Sequence, residues 1–83
     1  MSKHQLALYY YDSCPFCQIV LNAIHDLKIS SVEMKDIQSS QENYQKLIND
    51  TGRRTVPCLY IDGKPMHESS DIINWLTKNK ENL

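Results

Sequence analysis

Two cysteines separated by two residues, Cys14-Pro15-Phe16-Cys17, stand where the hydrophobic period of the chain changes, and no other feature narrows the possible folds as much. Before them, Gln5 to Tyr11 is rich in Leu and Tyr, contains no Gly or Pro, and stops at the turn-forming Asp12-Ser13, the pattern of a buried strand. After them, Val20, Ile24 and Leu27, flanked by Cys17, Leu21 and Lys28, recur at the spacing of a helix with one buried face. Ser13 is the expected N-cap. Pro15 fits the first turn, where the leading N–H groups of a helix have no internal partner and a missing one costs nothing. The dithiol therefore belongs at a strand-to-helix junction.

The rest of the chain continues the alternation of elements. Ser31 to Ile37 sets Val32, Met34 and Asp36 against Glu33, Lys35 and Ile37 and reads as a second, more exposed strand. Ser39 or Ser40 can cap a second helix with Glu42 or Asn43 in its first turn, Tyr44, Leu47 and Ile48 as its apolar stripe, and Gly52 as its stop. Arg53-Arg54 follows, then an apolar run from Thr55 to Ile61 that ends at Asp62-Gly63, a hairpin signal leading into a short extended piece, Lys64 to His67. Ser69 or Ser70 can cap a last helix with Ile72, Ile73, Trp75 and Leu76 inside, fraying into Lys78 to Leu83. The expected fold is α/β, a four-stranded mixed sheet in the order β-α-β-α-β-β-α flanked by three helices on its two faces, with the first two strands parallel: the outline of a thioredoxin-like domain. Eighty-three residues leave room for one small core, and no repeat or linker divides them, so residues 1–83 are expected to form a single domain.

Charge and composition exclude some functions. Nine Lys and Arg against ten Asp and Glu leave a net charge of −1, so no basic field recommends nucleic acid or a membrane surface as a partner. No apolar run approaches the roughly 20 residues that span a bilayer. Met1 to Gln5 lacks the apolar stretch of a secretory signal, and three cysteines are an odd number that suits thiols kept reduced until they react. A cytoplasmic monomer is the expectation.

Three elements carry chemistry. Cys14, at a helix N-terminus, is the expected nucleophile, because unpaired N–H groups and the helix dipole favour its thiolate relative to a free cysteine at about 8.5. Cys17, one turn further and more shielded, is the expected resolving thiol. The alternatives are inert buried cysteines or half of a zinc site, which normally needs four ligands; Cys58 with His67 or His25 is the only makeshift completion, and no metal is expected. Pro57, in Thr55-Val56-Pro57, either holds a cis peptide that turns the Val56 backbone toward an extended thiol peptide or merely starts an edge strand. Glu68-Ser69-Ser70-Asp71 either caps the last helix or receives the zwitterionic end of a γ-glutamyl group. Cys58 is either half-buried packing or a peripheral thiol. No histidine is given a catalytic role, and Tyr11 and Phe16 border the thiol.

Taken together, Cys-Pro-Phe-Cys, Thr-Val-Pro about forty residues on, Asp-Gly and a Ser-Asp helix start resemble a dithiol glutaredoxin over essentially the whole chain. The resemblance implies glutathione-dependent reduction of protein disulfides and protein-glutathione mixed disulfides, with Cys14 attacking, Cys17 resolving and glutathione as reducing co-substrate. It also implies that Thr55, Val56 and Pro57 hold glutathione through backbone contacts and that Ser70 and Asp71 hold its γ-glutamyl end. Two departures matter: Tyr11 stands where many glutaredoxins carry a lysine, and His67-Glu68 stands for a Gly-Gly pair. Both are similar to the glutathione-transferase-like branch, in which a Glu-Ser pair, here Glu68-Ser69, binds the γ-glutamyl group; Arg54 is placed to supply the missing positive charge to a glutathione carboxylate. Two other functions compete: a dimer holding an iron-sulfur cluster through Cys14 and glutathione, against which Pro15 speaks, and an electron donor reduced by thioredoxin reductase.

Overall fold

The structure is a computed structural model and describes residues 4–82; residues 1–3 and 83, part of the expected single domain, lie outside the described residues. The elements run β1 (Leu6–Tyr10), α1 (Pro15–Asp26), β2 (Val32–Asp36), α2 (Gln41–Thr51), β3 (Cys58–Ile61), β4 (Lys64–Met66) and α3 (Ser69–Asn79), closed by a 3-10 turn over Lys80–Asn82. The sheet order is β2-β1-β3-β4, with β1 parallel to β2 and the other two pairs antiparallel, so the expected mixed sheet and element order are found.

Alternation along β1 and β3 sorts side chains to the two faces. Leu6, Leu8 and Leu59 pack with Val20 and Ile24 of α1 and Ile72 and Leu76 of α3, while Tyr9, Cys58 and Tyr60 turn to the other face and pack with Leu47 of α2. Full burial of one such aliphatic side chain is worth about 1.5–3 kcal/mol relative to exposure. The α1–α3 layer, with more of these side chains, is the stronger of the two.

Several boundaries differ from expectation, each for a local reason. Cys14, not Ser13, is the N-cap of α1, because its sulfur accepts from the Cys17 N–H. Ser40 does cap α2, its hydroxyl accepting from the Asn43 N–H, and Gly52 ends that helix at φ 75. Neither Ser69 nor Ser70 caps α3; both are helical, and Glu68 precedes them at φ 71 with no side-chain cap bond. Met34, expected to alternate with the polar side of β2, is exposed, since β2 is an edge strand. The strand expected from Thr55 begins at Cys58, after Pro57, which has no N–H to give a ladder.

Candidate active site

The loop between β1 and α1 delivers Cys14 to the start of the helix. The Cys14 N–H donates to the Tyr11 carbonyl at 3.2 Å, the Gln18 side chain donates to the Asp12 carbonyl at 2.6 Å, and the Gln18 N–H donates to the Cys14 carbonyl at 3.0 Å. With both flanks tied, the Cys17 N–H points at the Cys14 sulfur, 3.3 Å away. A helix amide with no intrahelical acceptor is thereby spent on sulfur, the geometry that favours a thiolate there. Opposite, the Val56 carbonyl lies 4.0 Å from the same sulfur.

Cys14 and Cys17 are both free and both buried, at 4% and 0% exposure, so the expected contrast in shielding is small. Their chemistry differs more. Burial first, then the hydrogen bond and charge of Cys14, push the Cys17 thiol up to about 12, so Cys17 stays protonated beside its partner. The charge on Cys14, with some burial and a hydrogen bond to Cys14, likewise raises the Tyr11 phenol. Two neutral donors therefore sit around one sulfur.

Beside Phe16 opens a groove of about 200 Å³ walled by Thr55, Val56 and Pro57 on one side and Glu68 and Ser69 on the other. The Val56–Pro57 peptide is cis, the first of the two arrangements open from sequence. Tyr11 and Arg54 share a neighbouring hollow of about 420 Å³ with Ile37, Gln38 and Tyr44. Ser70 and Asp71 line neither; each residue of a helix turns about 100°, and both are exposed on the first turn of α3. A concavity of about 820 Å³ lies on the α2 face of the sheet, against Ala7, Tyr9, Lys35, Lys46 and Tyr60, and no cysteine lines it. In its lining Tyr60 and Lys46 both bond Asp50 at 2.9 Å.

Cys58 is fully buried, which makes it packing and not a peripheral thiol. It meets His67 at 4.0 Å, a contact sequence reasoning considered only as a makeshift zinc site. Among the described residues, no group of three His, Cys, Asp or Glu gathers to hold a metal ion, and no helix is long and apolar enough to cross a membrane.

Residues 8–82 match the family described as glutathione S-transferase, N-terminal domain. The chain is 35% identical over 77 residues to a chloroplastic glutaredoxin of Oryza sativa subsp. japonica, covering 78% of this chain and 57% of that protein. It is 28% identical over 65 residues to a glutaredoxin of Saccharomyces cerevisiae, covering 71% and 59%. The chain thus spans under two thirds of the length of either curated relative. A wheat glutaredoxin structure superposes with a TM-score of 0.66 at 27% identity, over 89% of this chain and 71% of the wheat chain.

Proposed function

The chain belongs to the family of glutathione S-transferase N-terminal domains and is a glutaredoxin of the thioredoxin-like superfamily, and from that premise we propose that it is a glutathione-dependent thiol-disulfide oxidoreductase acting on protein disulfides and protein-glutathione mixed disulfides. The observation that carries the reading is the Cys14 sulfur, capping α1 through the Cys17 N–H and facing the carbonyl of Val56, a residue of the groove wall.

In this reading the Cys14 thiolate attacks the glutathione sulfur of a mixed disulfide. A Cys14–glutathione disulfide forms, and the protein thiolate leaves and takes a proton from solvent. A second glutathione thiolate attacks the glutathione sulfur, releasing glutathione disulfide and restoring Cys14. With a protein disulfide, Cys14 first forms a mixed disulfide with the substrate. Cys17 then attacks the Cys14 sulfur, and two glutathione thiols reduce the resulting Cys14–Cys17 disulfide. Once Cys14 is in a disulfide, its charge no longer raises the Cys17 thiol, so the resolving proton comes off more readily at that stage than at rest.

Glutathione lies along the groove with its backbone against Thr55, Val56 and Pro57. Glu68 takes its ammonium, and Ser69 with the free amides at the start of α3 takes the γ-glutamyl carboxylate, while Ser70 and Asp71 stay off the groove. Arg54 and Tyr11 face the other carboxylate. The enzyme works as a monomer in a reducing compartment such as the cytoplasm. Incubating Cys17→Ser with a glutathionylated peptide tests the reading by intact-mass and peptide mapping. One glutathionyl group on Cys14 is expected. An unmodified protein, or a group on Cys58, contradicts it.

A further inference from the structure

The register of the β3–β4 hairpin extends past its last hydrogen-bonded pair. Ile61 faces Lys64, Tyr60 faces Pro65 and Leu59 faces Met66, and one step past that pair Cys58 meets His67. The residues before Cys58, Val56 and Pro57, and those after His67, Glu68 and Ser69, line the groove beside Phe16. The contact that joins those two walls is Cys58 Sγ to His67 Nε2 at 4.0 Å.

Cys58 is an anchored point, buried among Tyr9, Leu47 and Tyr60. His67 Nδ1 is buried with no hydrogen-bond partner, which leaves Cys58 as the polar contact holding the ring. The next residue, Glu68, sits at φ 71 and ψ 114 with no cap hydrogen bond, a conformation that non-glycine residues keep only when their surroundings impose it. We propose that His67 is a positioning residue: its contact with Cys58 clasps the two walls of the groove and holds Glu68 in its turn, and protonation of His67 opens the clasp. The proposal rests on the reading of this groove as the γ-glutamyl half of a glutathione site.

The charges around the ring agree in sign. Burial first, then the Arg53 cation from the loop after α2, lower the His67 pKa below its usual 6.5, while Glu68 at the start of α3 opposes them. From β3, burial pushes the Cys58 thiol up to about 11, so it meets the ring as a neutral S–H that can donate to Nε2. An imidazolium cannot accept that bond. Because the folded pKa is depressed, the stabilisation is complete above about 6.5 and is lost as pH falls through that value toward the folded pKa.

The probe is S-methylglutathione, whose blocked thiol neither titrates nor reacts, bound to the full chain and followed by calorimetry between pH 7.0 and 5.5. Wild-type affinity is expected to fall roughly three- to tenfold on acidification, the scale of one hydrogen bond. His67→Phe, which fills the space without titrating, is expected to bind more weakly at pH 7.0 and with no pH dependence. Cys58→Ala, which removes the anchor, should flatten the profile in the same way, with circular dichroism confirming that both variants are folded. A fall in affinity that survives in both folded variants overturns the clasp and leaves the glutathione site standing. No binding by wild type at any pH overturns the glutathione reading and the clasp with it.

Discussion

Cys14 does two jobs with one contact, since the Cys17 N–H that completes the cap of α1 also holds the sulfur lone pair of the proposed nucleophile. A serine caps a helix at least as well, so Cys14→Ser separates chemistry from folding. A second residue-scale network lies across the sheet, where the Tyr60 hydroxyl and Lys46 both bond Asp50 at 2.9 Å and lower its carboxyl pKa, Lys46 contributing more. In Tyr60→Phe the Asp50 carboxyl is expected to move back toward 3.8, as followed by an NMR pH titration. A group with a depressed pKa stabilises above its ordinary value and loses that contribution as pH falls through the folded one. The stability gap between wild type and variant is therefore widest at neutral pH and narrows below about 3.8. An Asp50 titration unmoved by the substitution contradicts the network.

Among the elements, α2 has the plainest ends, with Ser40 capping at 3.3 Å to the Asn43 N–H and Gly52 in the left-handed region. Ser40→Ala is expected to destabilise the protein by about 1 kcal/mol, read from the denaturant midpoint, and an unchanged midpoint rejects the cap. Both ends of α2 were legible because Ser and Gly carry their backbone preferences in the side chain, or in its absence. The starts of α1 and α3 were not. A thiol replaced the expected hydroxyl at Cys14, and at Glu68 a residue with no preference for positive φ makes the turn, displacing the capping role expected of Ser69 or Ser70. That difference also explains why Ser69 reaches the groove wall while Ser70 and Asp71 rotate off it. The Cys58–His67 pairing, by contrast, was implicit in the two-residue Asp62-Gly63 loop, which determines who faces whom; the alternating pattern of a short strand shows faces but not partners.

At the scale of the molecule, the period change at Cys14 and the hairpin signal at Asp62-Gly63 were enough to read the sheet and its three helices, because burial on two faces leaves β1 and β3 apolar on both sides. What the pattern could not convey is how loops converge. The β1–α1 turn, the segment ending at Pro57 and the start of α3 meet at one end of the sheet, and the groove exists only where they do. The central claim is that this convergence makes Cys14 the nucleophile of a glutathione-dependent reaction. Turnover of a glutathione mixed disulfide, coupled to glutathione reductase and NADPH, tests it most directly in wild type, Cys14→Ser and Cys17→Ser. Wild type and Cys17→Ser are predicted to turn over, while Cys14→Ser is folded and inactive. Activity retained in Cys14→Ser, or a wild type that works with thioredoxin reductase but not with glutathione, contradicts the account.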